Sequence, residues 1–319
     1  MLFTYILFFI ITCVVIYFAG QWIIEGLERV AKFLGWKEFV VAFVLMAFAG
    51  TLPNFFLAIF ALANKMPELS FGDVVGGNVV DMTLVIALAA LFARDGIPAR
   101  GATFQTSSLF TVISALLPLL LFMDGRLSRF DGVLLLGLFF SYVYWLFSKQ
   151  ERFKKVYNNY QVPLAKRLPL FMRDIGKILA GTVLLILMAQ GIILAASRFS
   201  VEYNLPLAMV GVLIVGLGNS FPELYFSIAS ARRGETRMIL GDLMGAVIMP
   251  ATLVLGLVVI VSPITIADVS LFATARYFLI AASILFFVFI RTGRKVTKKE
   301  AILLLSVYIA FLICEIFIK

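Results

Sequence analysis

The sequence predicts an all-α integral membrane protein, with ten transmembrane helices arranged as two five-helix repeats of inverted topology. Three observations support this prediction: the composition, the spacing of apolar runs and an internal repeat. The chain has 319 residues, of which 62% are hydrophobic and only 14% are charged. A soluble domain carries roughly 25% charged residues, so much of the surface of this chain must face lipid.

Apolar runs that are long enough to cross a bilayer, about 17–25 residues, define the predicted helices. They fall at approximately 2–26, 39–63, 72–93, 104–123, 130–148, 174–197, 207–231, 240–261, 268–290 and 300–318. The first run has no basic residue before it and exceeds the roughly 7–15 residues of a signal-peptide core. We therefore interpret it as the first transmembrane helix.

The basic residues between these runs predict the orientation. If successive connections alternate between the two sides, 21 of the 27 lysines and arginines fall in one set of connections and 6 in the other. The positive-inside rule places the richer set in the cytoplasm. We therefore predict a multi-pass cell-membrane protein with both termini outside. A cytoplasmic basic linker, 149–173, separates the five-helix units 1–148 and 174–319. Because the lysines and arginines form short clusters between apolar runs, they favour this topological role over nucleic-acid binding.

An offset of 169 residues reveals the internal repeat. It superimposes 49–60 on 218–229 and 71–87 on 240–256 without a gap. The matches include proline, glycine, aspartate and threonine, which shared apolarity alone would not produce. The repeated segments, about 39–93 and 207–261, belong to units with an odd number of predicted helices, so the two units enter the membrane from opposite sides. Such inverted repeats are typical of secondary transporters.

Each repeat places a proline and a polar residue at membrane depth. Pro53 is followed by Asn54, and Pro222 is followed by Glu223. A proline removes a backbone donor and distorts a helix, and an ionisable side chain at this depth costs about 2.5–3.5 kcal/mol on insertion scales. Freed carbonyls, amides and carboxylates are the oxygen ligands that hard cations prefer. The pattern therefore predicts a cation-binding site.

Residue types that the chain lacks argue against an enzyme. There is no histidine, and the only two cysteines, Cys13 and Cys314, lie in apolar runs. The sequence therefore offers no Ser-His-Asp triad and no zinc-ligand spacing. It also has no nucleotide-binding glycine loop. We expect neither enzymatic activity nor a cofactor.

The repeated segments resemble the α-repeats of the sodium/calcium exchanger family, within the cation/calcium antiporter superfamily. "AGTLPN" (49–54) and "GNSFPE" (218–223) match its G-T-S-L-P-E-like stretch. "GDVVGGNVVD" (72–81) and "GDLMGAVIMP" (241–250) match its G-N-x-x-G-S-N-like stretch. The resemblance covers essentially the whole chain. It implies that the second, third, seventh and eighth helices enclose adjacent cation sites at mid-membrane.

Carried over by position, the resemblance implies a set of cation-binding residues. Asn54, Asp81 and Glu223 would hold Ca²⁺ or Na⁺, and Pro250 occupies the fourth central position. The supporting positions are Ala47, Gly50, Thr51, Gly77, Asn78, Gly216, Asn219, Ser220 and Ala246.

The chain departs from the family pattern at several of these positions. Asn54 stands where the family has Glu, Gly77 and Ala246 stand where it has serines, and Pro250 stands where it has an acid or amide. Two carboxylates, Asp81 and Glu223, still balance one Ca²⁺. The capacity to hold several Na⁺ ions at once is expected to be weaker.

Asp73 and Asp242 form a symmetric acidic pair at positions where family members commonly carry Asn. One interpretation is helix capping, because Asp suits a helix N-terminus. The other is that they are extra acidic ligands, or proton-accepting groups, in the two access routes. Gly76 and Gly245, which the repeat also matches, indicate close helix packing.

The function implied by the resemblance is secondary-active antiport by alternating access. Ca²⁺ would be exchanged for Na⁺, or for H⁺, across the lipid bilayer, with inorganic cations as the only ligands and a monomer sufficient. Two alternatives stay open on sequence alone. The chain could exchange another cation, or it could be a non-transporting homologue that has lost part of the site.

Overall fold

The computed structural model describes residues 2–33, 47–148, 164–234 and 236–317, and these residues are almost entirely helical. Eight helices in this part of the chain are long and apolar enough to cross a membrane. Two shorter apolar helices are Leu7–Ala19 and Thr51–Ala63. The prediction of an all-α membrane protein is therefore confirmed. Part of the predicted span 39–63 and most of the predicted linker 149–173 lie outside the described residues.

The described part of the N-terminal half contains six α-helices. They are α1 (Leu2–Phe33), α2 (Ala47–Ala63), α3 (Pro67–Val80), α4 (Ile86–Phe92), α5 (Ala102–Leu121) and α6 (Arg129–Ser148). A π-helix, Asp81–Val85, joins α3 to α4, so that these three segments form one continuous rod.

The C-terminal half begins with a long helix and has more interruptions. Its α-helices are α7 (Leu164–Tyr203), α8 (Leu207–Met209), α9 (Gly216–Asn219), α10 (Phe221–Arg233), α11 (Thr236–Ile248), α12 (Leu255–Val261), α13 (Ala273–Thr292) and α14 (Lys298–Phe317). Two π-helices, Val210–Val215 and Met249–Val254, link α8 to α9 and α11 to α12. Helix α7 already begins at Leu164, so the C-terminal part of the predicted linker is helical.

Local signals in the sequence explain several helix ends. Helix α3 begins at Pro67, whose missing N–H has no helical partner at this position. Helix α14 begins with a capping box, in which Thr297 N donates to Glu300 Oε2 at 2.7 Å and Glu300 N donates to Thr297 Oγ1 at 3.3 Å. Helix α10 ends at Arg233, and Gly234 after it has a φ of +79°, which glycine adopts readily.

Two short antiparallel ladders join the halves at the helix ends. Strand β1 (Ile97–Pro98) pairs with β4 (Lys295–Val296), and β2 (Arg126–Leu127) pairs with β3 (Ile264–Thr265). Each ladder therefore links one strand from the N-terminal half to one strand from the C-terminal half.

Helices α1 and α7 pack along each other. Glycines at the contact allow a close approach. A Cβ at Gly181 would lie 2.8 Å from Ala19 O, and a Cβ at Gly26 would lie 3.0 Å from Asp174 O. At one end of the pair, Arg29 Nε donates to Asp174 Oδ1 at 2.7 Å.

The helical rods differ strongly in how much of their surface is covered by protein. The most apolar stretch of the rod Pro67–Phe92 is 78% buried by the rest of the protein, and the most apolar stretch of Ile239–Val261 is 72% buried. In Arg129–Ser148 and Lys298–Phe317 the corresponding value is only 28%. The two rods that carry the predicted site residues of α3 and α11 are therefore central, and the exposed apolar rods at the edge suit contact with lipid.

Candidate cation-binding site

A small acidic cavity lies where segments of both halves meet. It is formed by α2, α3 with its π-helix, the break between α9 and α10, and α11 with its π-helix. The cavity has a volume of about 20 Å³, which is enough for roughly one water-sized particle. Its lining consists of Thr51, Asn54, Asp73, Val74, Gly77, Asn78, Asp81, Asn219, Ser220, Glu223, Asp242, Ala246 and Pro250.

The lining is acidic and carries no compensating basic residue in the described part of the chain. Its four carboxylates belong to Asp73, Asp81, Glu223 and Asp242. Among the described residues, no three His, Cys, Asp or Glu side chains lie close enough together to hold a metal ion by themselves. A cation in this cavity would therefore need amide, hydroxyl and backbone oxygens in addition to carboxylates, as hard cations commonly use.

Glycines let the central rods approach to backbone contact. A Cβ at Gly76 would lie 2.1 Å from Val212 O, and a Cβ at Gly216 would lie 2.6 Å from Gly77 N. No side chain larger than hydrogen fits at such distances. These contacts hold α3 against the C-terminal rod and bring its polar residues beside the break between α9 and α10. The expectation that Gly76 marks close helix packing is confirmed.

Asn219 links the two halves across this contact. Its Nδ2 donates to Asp73 Oδ1 at 2.8 Å. Both side chains are buried, with exposed fractions of 9% for Asn219 and 2% for Asp73. The hydrogen bond fixes the orientation of the amide, and the buried Asn219 Oδ1 then has no hydrogen-bond partner among the described residues.

Two carboxylates in the cavity also hold oxygens without a partner. Asp81 Oδ1 and Glu223 Oε2 are buried and accept no hydrogen bond from a described residue. Buried polar atoms are nearly always paired with protein, water or a ligand. The three unpaired oxygens of these cavity-lining residues therefore need either a hydrogen-bond donor or a cation as their partner.

The helices are distorted where they border the cavity. Asp81 opens one π-helix and Pro250 lies in another. Ser220 interrupts the rod between α9 and α10, with φ −84° and ψ 0°, directly before the Phe221–Pro222 turn that starts α10. Single-turn π-helices occur frequently at functional sites, and irregular backbone at membrane depth is tolerated where it lines a cavity.

The structure does not place Asp73 and Asp242 at helix ends. Each is the seventh residue of its helix, α3 for Asp73 and α11 for Asp242. The interpretation that they cap helices is therefore wrong, because an N-terminal cap bonds only the free N–H groups of the first turn. Both line the same cavity as Asp81 and Glu223.

The remaining predicted site residues are distributed unevenly. Thr51, Asn54, Gly77, Asn78, Ser220, Ala246 and Pro250 all line the cavity. Gly216 lies at the helix contact with Gly76 and Gly77 and is absent from the described lining. Ala47 and Gly50 lie in the first turn of α2. The only lining residue that sequence reasoning missed is Val74, which is apolar and carries no signal.

Helices packed around a buried acidic cavity define a class of protein: a multi-pass membrane protein with an internal site for positive charge. The comparisons identify the family. The family model described as "Sodium/calcium exchanger protein" matches residues 4–148 and 174–317. The chain belongs to this family, as the resemblance of its repeated segments indicated.

Individual relatives are distant in sequence but match over most of their length. Sodium/calcium exchanger MaX1 of Methanosarcina acetivorans is 24% identical over 334 residues, covering 94% of this chain and 95% of MaX1. Inner membrane protein YrbG of Escherichia coli is 25% identical over 263 residues, covering 80% and 79%.

A solved structure shows the same fold. The sodium-calcium exchanger NCX_Mj, soaked with Na⁺ and Sr²⁺, superimposes with a TM-score of 0.68 at 22% identity, and 98% of each chain is covered. Family and fold together make this chain a secondary transporter of cations and not an enzyme, as predicted.

Proposed function

We propose that the chain exchanges Ca²⁺ for Na⁺ or H⁺ through the acidic cavity. In this proposal Asp81 and Glu223 supply the charge that balances Ca²⁺, and Asn54, Thr51, Asn78, Asn219 and Ser220 supply neutral oxygens. Carbonyls near Gly50, Ala47 and Gly216 complete the set of ligands. Asp73 and Asp242 are further acids of the same cavity.

The single observation that carries the proposal is the set of unpaired buried oxygens. Asp81 Oδ1, Asn219 Oδ1 and Glu223 Oε2 border one cavity without a hydrogen-bond donor from any described residue. Leaving such groups unsatisfied costs about 1–3 kcal/mol each, and more for charged groups. A dehydrated divalent cation would satisfy all three, because Ca²⁺ takes six to eight oxygen ligands.

The names of relatives support calcium and sodium as the ions. MaX1 is named a sodium/calcium exchanger, and the structure of NCX_Mj was studied with Na⁺ and Sr²⁺. The cavity itself favours one divalent ion over several monovalent ions, since Gly77, Ala246 and Pro250 contribute no side-chain oxygen to the lining. The coupling ion is therefore the part of the proposal that most needs measurement.

We also propose that the two halves are inverted repeats that exchange access to the cavity. Several features support this symmetry. The π-helices Asp81–Val85 and Met249–Val254 correspond at the 169-residue offset, as do β2 and β4. The ladder between β1 of the N-terminal half and β4 of the C-terminal half has a counterpart in the ladder between β3 of the C-terminal half and β2 of the N-terminal half. With ten crossings and the observed distribution of basic residues, both termini would be outside and 149–173 cytoplasmic.

Proteoliposomes test the proposed exchange. The purified chain is reconstituted, loaded with Na⁺, and diluted into Na⁺-free buffer that contains radiolabelled Ca²⁺. Parallel samples carry an outward H⁺ gradient or an outward K⁺ gradient instead. We expect Ca²⁺ uptake to follow the Na⁺ or the H⁺ gradient and to collapse with an ionophore for that ion.

Two outcomes would redirect the proposal. Uptake of a different cation with no Ca²⁺ uptake would indicate an exchanger of that cation. No counterflow with any gradient, together with unchanged cation binding in Asp81→Asn, would indicate a non-transporting homologue.

A further inference from the structure

A second cavity lies at one end of the helix bundle and shares no lining residue with the acidic cavity. It forms where the end of α4 and β1 meet β4 and the turn between α10 and α11. Its volume is about 570 Å³, within the usual range of small-molecule sites. We call it the basic pocket, because its described lining contains Arg94, Arg100, Arg232, Arg233 and Lys295 and a single acid, Asp95.

The positive charge of the basic pocket is not neutralised by the described protein. None of its five basic side chains forms an ion pair with any residue of the described ranges. The Arg232 guanidinium instead lies over the Phe92 ring, 4.6 Å from its centroid. Like charges around one cavity repel each other, and this repulsion persists at distances below the Debye length of about 8 Å at physiological salt. A bound anion would remove it.

The frame of the basic pocket is fixed by backbone contacts. Gly96 has a φ of +73°, and a Cβ there would lie 2.2 Å from Val296 O. The β1–β4 ladder places Lys295 opposite Pro98. On the other side, Gly234 N donates to Ala231 O at 3.2 Å and ends α10, which holds Arg232 and Arg233 at the rim. The pocket is therefore shaped before any ligand arrives, which lowers the entropic cost of binding.

The repeat supplies an internal comparison. At the 169-residue offset, the positions equivalent to the five basic residues hold Pro263, Val269, Ala63, Asn64 and Arg126. Only one of these is basic. The shared helical frame therefore does not require the charge, and one end of the molecule carries it alone. An excess of basic residues in cytoplasmic connections could result from topology only, and that explanation predicts no saturable binding of anions.

The position of the pocket indicates the kind of anion. Phe92 and Arg233 are the last residues of the apolar rods Pro67–Phe92 and Leu207–Arg233, so the pocket lies where apolar helix surface ends. Phe92 itself is 45% exposed. Planar guanidinium groups match the geometry of phosphate oxygens in pairs. We propose that the basic pocket binds a phosphate group, carried either by an anionic phospholipid headgroup or by free inorganic phosphate.

Binding measurements on the full chain in a non-ionic detergent test this proposal. Dihexanoyl phosphatidate, inorganic phosphate and, as a neutral reference, dihexanoyl phosphatidylcholine are titrated separately, and the thermal midpoint of unfolding is followed. The pocket variant is R94Q/R232Q/R233Q. The matched control is R126Q/R129Q/R173Q, which removes the same charge from exposed arginines outside the pocket.

We expect saturable binding of phosphatidate or phosphate to the wild-type chain and to the control. The pocket variant should bind at least about tenfold more weakly, since hydrogen bonds to charged groups contribute about 1.5–3 kcal/mol each. Replacing the same three arginines by lysine keeps the charge but loses the planar fork, so part of the loss should remain.

The two sources of phosphate are separated by the same titrations. Tighter binding of phosphatidate than of phosphate identifies a lipid headgroup, and equal binding identifies the free anion. Either result supports the pocket if the pocket variant alone loses it. The proposal is overturned if the wild-type chain binds neither probe saturably, or if both arginine variants weaken binding equally. Because neither probe is a transported cation, these results do not depend on the exchange proposed for the acidic cavity.

Discussion

Asn219 of the C-terminal half donates a 2.8 Å hydrogen bond to Asp73 of the N-terminal half, inside the contact between α3 and the break that precedes α10. This bond joins the two halves at the wall of the acidic cavity. Asn219 lines that cavity, and its Oδ1 has no hydrogen-bond partner in the described part of the chain. One side chain thus serves both the packing of the halves and the set of oxygens that we propose as cation ligands.

Removing this amide should destabilise the protein. In Asn219→Ala, Asp73 Oδ1 loses its buried donor, so we expect the free energy of unfolding in detergent to fall by about 1–3 kcal/mol. The double variant Asp73→Asn with Asn219→Asp restores an amide–carboxylate pair with its members exchanged. It should recover most of the loss. Wild-type stability of Asn219→Ala would contradict the role of the bond.

Neutralising either central carboxylate should weaken cation binding. Asp81→Asn and Glu223→Gln keep the size of the side chain and remove one negative charge each. Loss of one charge-assisted contact of about 1.5–3 kcal/mol corresponds to a 10- to 150-fold weaker Ca²⁺ affinity. Calorimetric titration measures this change. Glu202→Gln, which alters an exposed acid of α7, is the control and should bind Ca²⁺ as the wild type does.

Replacement by serine should be tolerated at Gly77 and should destabilise the protein at the neighbouring Gly76. A Cβ at Gly77 would have no atom closer than 3.8 Å, and its nearest neighbours are Ser220 Oγ and Gly216 O. Gly77→Ser should therefore fold normally and add a hydroxyl to the cavity, raising Na⁺ affinity several-fold.

The adjacent Gly76→Ser is the matched structural control. Its Cβ would lie 2.1 Å from Val212 O, so the helices must separate, and overpacking of this kind typically costs about 1–3 kcal/mol or more. Gel filtration and thermal unfolding distinguish the two variants. Equal behaviour of the two serines would show that the helix contact is not as close as described.

The ion pair at the end of α1 and α7 should contribute modestly to stability. Arg29 Nε lies 2.7 Å from Asp174 Oδ1, with side-chain exposed fractions of 38% and 5%. Because Arg29 is partly solvated, Asp174→Asn should lower the free energy of unfolding by only about 1 kcal/mol. The loss should shrink at high salt. A salt-independent loss would instead indicate a packing effect.

The sequence was sufficient for the membrane class, the approximate helix positions and the family. Apolar runs are long, so their length located α5 and α6 within about two residues and the rod Pro67–Phe92 within about five. The paired motifs around Pro53 and Pro222 pointed to the residues that line the acidic cavity, because proline and ionisable groups are rare at membrane depth.

The placement of Asp73 and Asp242 could not be predicted in the same way. Both residues stand at the start of a predicted span, 72–93 for Asp73 and 240–261 for Asp242, which made helix capping the simpler interpretation. Their common cavity depends on the angle at which α3 crosses the C-terminal rod, and this angle is set by backbone contacts at Gly76 and Gly216. The π-helix at Asp81 likewise has no sequence signal that separates it from an ordinary helical turn.

The central claim is that the acidic cavity holds the transported cation, and a crystal structure of the chain soaked in Ca²⁺ tests it most directly. We predict a single anomalous peak between Asp81 and Glu223, within about 2.3–2.6 Å of their oxygens, with Asn219 Oδ1 near it. The peak should vanish in Asp81→Asn crystals soaked identically. Ca²⁺ bound elsewhere in the chain, or a cavity that stays empty while transport proceeds, would contradict the claim.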